Sequence, residues 1–582
     1  MRLIGGLFFI VLSVAPLCAL EEQIQILVEG LSGKALENAK QALVLPPGMI
    51  DQGRVDELWL QRFEEQIPRN VRDALEPFGF YQPEITVRRE KTEEGAYRLQ
   101  IYVQPGPPIL VRSIHVRLEG PGAEEPALKT LTSEFPLAKG DVLRQDLYEQ
   151  AKQDLQNRAY DLGYLDAAYA VHTLHLILGE SAADVNLVLQ TGSRYAFGEV
   201  AFTGTPAYPD VFLRRYLAFK PGDVFSYALM ARTQSNFVNT DRFREVLVNP
   251  RRDAAAEGRI PVEIFLKPAS PKSVKTGIGY STDTGPRATI QYKDLNVAGW
   301  GHEFQTELKV SPILQGIASR YVLPSGLDIQ SHTALTLSLQ RENTDTYTTR
   351  LIKLEAERAH GFGADRSGSL FVQIQAENSE AGEQTTNSFL LMPGVRFTSI
   401  HYDNIIRPTR GFNYRVEFRG THESLGSDTG FIQGLSYGEL LIPLPARLTL
   451  LVRAQAATTW QNDPARDLPI SVRFFAGGDR SVRGYTYQSL GPRDGSGNVI
   501  GGRSLLVGNV EMERAIGQNW GAAAFYDAGN AFNSLSNIDA AQGAGIGVRY
   551  YSPFGPIRLD LARQIGVSEP SWHIHFTVGL GL

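Results

Sequence analysis

From residue 269 to Leu582, apolar and polar side chains alternate one by one, the period of an extended strand whose two faces meet different surroundings. In GFNYRVEFRG at 411–420, Phe412, Tyr414, Val416 and Phe418 share one face while Asn413, Arg415, Glu417 and Arg419 share the other. LTLLVRAQAATTW at 448–460 sorts Leu448, Leu450, Val452 and Trp460 against Thr449, Arg453 and Gln455. In the last run, Trp572, Ile574, Phe576, Val578, Leu580 and Leu582 oppose Ser571, His573, His575 and Thr577. A soluble β-sandwich alternates in this way, and so does a barrel with lipid outside and water inside. Inward charges such as Arg415, Arg558 and Asp560 need a wet interior that a sandwich core lacks, so the pattern favours the transmembrane barrel. About 315 residues at roughly 20 per strand and connection predict about 16 antiparallel strands.

Between Leu20 and Pro268 the grammar differs, with short strands interleaved with helical periods, and KPASPK at 267–272 marks the change. A strand closed by glycine recurs as QIQILVEG at 23–30, RSIHVRLEG at 112–120 and GEVAFTG at 198–204. The spacing, on the order of 85 residues, suits one βααββ unit and signals internal duplication. ALEPFGFYQPEITV (74–87), NRAYDLGYLDAAYAV (157–171) and NTDRFREVLV (239–248) each run from helix into strand, with Gly79 and Gly163 expected in the left-handed position that ends a helix. KGDV at 139–142 and PGDV at 221–224 each precede a helix start. The expected organisation is multidomain: three α+β units at 20–105, 106–191 and 192–268, then a barrel at 269–582.

The first nineteen residues carry Arg2, an apolar run from Leu3 to Val14 and the end Pro16-Leu17-Cys18-Ala19, which reads as a secretory signal peptide cut after Ala19. The sole cysteine, Cys18, would leave with it. No later segment reaches the about eighteen uninterrupted apolar residues of a membrane helix, so any membrane passage is by closed barrel. A net charge of −6 gives no support for nucleic-acid binding.

FFAGGDRSVRGY at 474–485 sets Arg483 between glycine bends and an aromatic. Gly477, Gly478 and Gly484 would let this loop fold back into the barrel, where Arg483 would meet Glu511 of GNVEMER and Asp527 of FYDAGN. The alternative is a turn with a solvated arginine. Gly434-Leu435-Ser436-Tyr437-Gly438 matches a nucleophile elbow, but FIQGLSYGELLIPL around it reads as strand with no helix following. His573 and His575 share a face, with no third metal ligand evident nearby in the sequence. No phosphate-cradling motif is present, and no catalytic residue, metal or cofactor is expected. The first barrel strand, SVKTGIGYSTD at 273–283, must close against WHIHFTVGLGL at 572–582. Glycines at 277, 279, 579 and 581 make a thin seam there, with Ile278, Tyr280 and Phe576 beside them.

FFAGGDRSVRGY, FYDAGN and GVRYYSPFGPIRLDLA at 547–562 resemble the signature run of the BamA/TamA superfamily of outer-membrane assembly proteins. DNIIRPTRGF at 403–412 and GIGYSTDTGPRATIQY at 277–292 extend the resemblance upstream, in an order and spacing similar to its TamA branch. The resemblance implies three periplasmic POTRA (polypeptide-transport-associated) modules on an outer-membrane barrel. It also implies a luminal loop lock of Arg483, Gly484 and Tyr485 with Glu511 and Asp527, and a seam that opens as a lateral gate. The implied work is insertion or translocation of unfolded autotransporters and other outer-membrane proteins, in contact with outer-membrane lipid and a TamB-like periplasm-spanning partner, without catalysis or cofactor. A two-partner secretion pore for one exoprotein and a passive porin-like channel are the alternatives.

Overall fold

A computed structural model describes residues 23–578 apart from 52–53, 93–95, 205–206, 327, 364, 382–383, 405–406, 462–467, 535–537 and 553–554. The expected signal peptide and the seam glycines Gly579 and Gly581 lie outside the described residues. The chain divides into two compact units, one of Met1–Glu199, Phe219–Met230 and Pro250–Val262, the other of Val200–Ala218, Ala231–Asn249 and Glu263–Leu582.

The amino-terminal half carries three three-stranded sheets of one topology, each with the last strand of its repeat in the centre. In the first, Tyr97–Gln104 lies between Ile24–Glu29, which runs parallel to it, and Glu84–Lys91, which runs antiparallel. In the second, Ala182–Gln190 lies between Leu110–Glu119 and Ala168–Ile177, and in the third Arg259–Pro268 lies between Phe243–Pro250 and Ala196–Thr203. Burial explains why the first sheet needs its helix. Glu57–Leu75 places Leu60, Phe63, Ile67, Val71 and Leu75 on one stripe at three- and four-residue spacing, packed with Leu99, Ile101 and Val103 of the central strand. Asp56 starts that helix by accepting the Leu58 and Trp59 N–H groups at 2.9 and 3.1 Å.

The repeats also share their junctions. Gly79 (φ 87°) and Gly163 (φ 89°) take the expected left-handed conformation, and in the third repeat Asp241 takes it at φ 57°. The Gly79 carbonyl accepts the Ile109 N–H and the Gly163 carbonyl accepts the Tyr195 N–H, both at 2.8 Å, so each turn receives the first residues of the next repeat. A Cβ at these glycines would lie 2.6 Å from the Leu143 carbonyl oxygen and 2.9 Å from that of Tyr195. The KGDV and PGDV turns are built alike: Asp141 accepts the Ala138 N–H at 2.7 Å, and Asp223 accepts that of Lys220 at 2.8 Å.

The barrel closes with sixteen antiparallel strands from Lys272–Ser281 to Trp572–Val578. Its burial is inverted relative to a soluble sheet. In Arg366–Ala381 the apolar Leu370, Val372 and Ile374 are 65%, 42% and 37% exposed, while Gln373, Gln375 and Glu377 between them are 3–4% exposed. A polar lumen inside an apolar outer face decides against the sandwich. The sheet is continuous strand through Phe431–Leu444, which carries Ser436 of the GLSYG motif, so no strand-to-helix elbow exists at that serine.

Candidate functional site

The chain between the strands Leu448–Trp460 and Ser504–Ile516 is long, and its described part, 468–503, turns back into the lumen. Isolated antiparallel bridges Phe474 to Gly502 and Ala476 to Leu490 hold it as an irregular hairpin. Its tip depends on Gly477 (φ 104°) and Gly478 (φ 106°), where a Cβ would meet the Thr486 carbonyl oxygen at 2.4 Å and an Asp283 carboxylate oxygen at 2.6 Å. Gly484 (φ 99°) turns the chain again immediately after Arg483.

Arg483 enters a cage of three carboxylates. Its Nε and Nη2 donate to the two oxygens of Asp527 at 2.7 and 2.9 Å, a bidentate pair, while Nη1 donates to Glu511 at 2.7 Å and to Asp560 at 3.2 Å. Its backbone N–H adds a bond to Asp527 at 3.1 Å. The guanidinium sits 3.4 Å from the centroid of the Phe525 ring. Arg549 completes the network, donating to Glu511 at 2.7 Å and to Asp560 at 2.5 Å. Asp527 is 0% exposed and the other members of the network are under one-tenth exposed. Arg558, directly opposite Arg549, lines the same luminal chamber of about 860 Å³ and supplies a third cation against the three carboxylates.

The loop is clasped to the seam by a second cluster. His575 of the last strand pairs through Nδ1 with Asp479 at 2.6 Å and accepts the Gly484 N–H on Nε2 at 2.9 Å. Asp479 also accepts from the Ser281 hydroxyl at 2.8 Å, and its N–H donates to Asp283 at 2.8 Å. Asp283, Asp479 and His575 thus converge within 4.8 Å of one another, a grouping invisible to local spacing. His573 stands apart from it, bonded to Ser571 at 3.0 Å.

The seam is short. Among the described residues the first and last strands share two residue pairs, Tyr280 with Val578 and Ser281 with Thr577, whereas the first and second strands share ten. Thr282 continues the same register to Phe576, its N–H donating to the Phe576 carbonyl at 3.0 Å and its hydroxyl accepting the Phe576 N–H at 2.6 Å. Tyr280 lies beside Phe576 with ring centroids 5.9 Å apart. A Cβ on Gly279 would lie 2.6 Å from the Val578 carbonyl oxygen, and one on Gly277 would meet nothing within 4 Å among the described residues. Ile278 between them is 89% exposed.

The structure therefore brings Arg483, Glu511 and Asp527 together, and places Gly484 against His575. Tyr485 stays outside the charged cage and packs on Ala476, Val482 and Val507. Sequence reasoning did not bring Arg549, Asp560, Asp283, Asp479, His575 or Gly543 to this site. Gly543 is needed because a Cβ there would come within 1.9 Å of the Arg483 carbonyl oxygen.

An Omp85 superfamily domain model matches residues 296–581. A model of POTRA domain TamA domain 1 matches 25–105, and a POTRA model described as a surface antigen variable number repeat matches 115–190 and 195–268. The chain belongs to the Omp85 superfamily. As an Omp85 protein it is an outer-membrane barrel whose POTRA domains lie in the periplasm. It is 22% identical over 505 residues to the outer membrane protein assembly factor BamA of Nitratidesulfovibrio vulgaris, covering 83% of this chain and 62% of the relative. The BamA of Neorickettsia risticii is 20% identical over 419 residues, covering 66% and 54%. The chain thus spans less than two thirds of the length of these curated relatives. The crystal structure of BamA from Haemophilus ducreyi lacking POTRA domains 1–3 shares the Omp85 fold with a TM-score of 0.68 at 16% identity, covering 81% of this chain and 99% of that one.

Proposed function

We propose that this protein is an outer-membrane insertase or translocase subunit that assembles or translocates autotransporters and other outer-membrane proteins through its barrel seam. The observation that carries the reading is the meeting of the first and last barrel strands, which the described residues hold by Tyr280 with Val578, Ser281 with Thr577 and the Thr282–Phe576 bonds. Once parted, a junction of two strand edges presents backbone groups that accept an incoming strand by β-augmentation. Strand exchange of this kind needs no catalytic group and no cofactor. The three POTRA modules, at 20–105, 106–191 and 192–268, add further sheet edges for extended substrate segments. The match of the first module to a TamA-type POTRA model supports the TamA branch and, with it, a TamB-like partner spanning the periplasm. The loop held inside the lumen argues against a passive porin.

Photocrosslinking from Ile278 and Tyr280 in cells producing an autotransporter tests the reading. Adducts with the arriving substrate are expected. Crosslinks to the last barrel strand alone, during active substrate export, would overturn the seam mechanism and favour a secretion pore.

A further inference from the structure

The outer face of the barrel carries a charge arrangement that the seam and the lock leave unused. On the strands His332–Asn343 and Tyr347–Gly361, the outward row Leu335, Leu337, Leu339 ends in Arg341, and the row running back from the hairpin begins with Arg350, Ile352, Leu354. Arg341 and Arg350 are direct cross-strand partners, both exposed. Like charges set opposite each other on one sheet face destabilise it unless something neutralises them. No hydrogen bond or ion pair joins either guanidinium to a protein group among the described residues. Asp428, the nearby carboxylate lining the same groove, is engaged by the Phe389 N–H at 2.6 Å. Glu380 lies outward on the next strand, opposite Thr348, and pairs with neither arginine.

One row toward the barrel waist, the outward register reads Leu308, Ile317, Leu339, Ile352, Ala376, Phe389 across six strands. The small Ala376 between Ile352 and Phe389 leaves an apolar groove of about 920 Å³ directly beneath the two arginines. Its position in the membrane follows from topology. The POTRA modules precede the first strand, so odd-numbered strands run outward, and the Asn343 end of the fifth strand is extracellular. Arg341 stands two residues from that end, roughly 7 Å at strand rise, where lipid phosphates lie and where an outward arginine is tolerated.

We propose that Arg341 and Arg350 form a binding site for a phosphate-bearing lipid of the outer leaflet, with an acyl chain lying in the groove over Ala376. The two cations neutralise the headgroup phosphate and the headgroup relieves their mutual repulsion. The groove gives the chain a fixed seat that bulk lipid contact does not.

The test is native mass spectrometry of the full chain in detergent, titrated with bisphosphorylated lipid A. Arg341→Gln with Arg350→Gln should bind it about thirty-fold more weakly, the loss of two surface cations against an anionic headgroup. Arg366→Gln, which removes an exposed arginine at the opposite end of a neighbouring strand, should bind like the parent. Ala376→Leu, which fills the groove and leaves the charges, should also weaken binding. Heat-modifiable gel migration equal to the parent's shows that each variant is folded. Equal lipid affinity in the double variant and the parent would overturn the proposal. So would displacement of the lipid by millimolar inorganic phosphate, because the site would then read phosphate alone.

Discussion

Arg483→Ala removes one guanidinium from a cage in which Asp527 is 0% exposed and receives three of its hydrogen bonds, at 2.7, 2.9 and 3.1 Å, from Arg483. The backbone bond at 3.1 Å comes from residue 483 whatever its side chain, so the variant keeps one of the three. Glu511 and Asp560 retain Arg549, but the cation facing Asp527 is gone. Breaking a buried pair by deleting one partner destabilises by about 3–5 kcal/mol, because the remaining charge is left uncompensated. The expected result is a folded POTRA region with a loosened barrel, read as a lower urea midpoint for loss of heat-modifiable gel mobility. Deleting both charges separates charge compensation from packing. Arg483→Met with Asp527→Leu should recover more than half of the loss, since a buried pair replaced by apolar groups of similar volume is often near neutral. A midpoint and mobility unchanged in Arg483→Ala would refute the reasoning, and so would a double variant as damaged as the sum of the singles.

Three further outcomes follow from the same geometry. Gly543→Ala puts a methyl group 1.9 Å from the Arg483 carbonyl oxygen, so the loop must shift, and limited proteolysis should cut within 468–503 faster than in the parent. His575→Phe removes the acceptor of the Gly484 N–H and leaves Asp479 with Ser281 alone as a side-chain partner, and should weaken loop docking by about 1–3 kcal/mol, seen as faster hydrogen exchange at Gly484 with strand exchange elsewhere unchanged. Gly163→Val forces a β-branched side chain into φ 89° against the Tyr195 carbonyl and should raise hydrogen exchange at Tyr195 in the intact protein.

Much of this fold was legible because the barrel's two environments write themselves into a period of two. Phe418 and Trp460 face outward at 50% and 55% exposed, and Glu417 and Arg453 face the lumen at 9% and 8%, as alternation predicts. The repeats were legible through their glycines, and the one junction that lacks glycine, at Asp241, was the one that sequence could not place in the left-handed region. The lock was half legible. A loop arginine that must be buried calls for carboxylates on inward positions, which selected Glu511 and Asp527. Asp560 satisfies the same rule and Arg549 is the second cation of the cage, yet their meeting depends on register around the barrel wall, and a period of two carries no register. The clasp of Asp283, Asp479 and His575 joins residues nearly 300 positions apart, so its signal is wholly tertiary. The close approach of the Val578 carbonyl to Gly279 is likewise set by the seam register and not by local sequence.

The central claim is that the seam opens to do its work, and cysteines at Tyr280 and Val578 test it most directly. These residues are paired across the seam, and antiparallel partners lie about 4.5–5.5 Å apart at Cα, within disulfide reach. The account predicts that oxidising Tyr280→Cys with Val578→Cys stops assembly of an autotransporter in cells, that reduction restores it, and that either single variant assembles it normally. Assembly at the parent's rate with the disulfide fully formed would contradict the account.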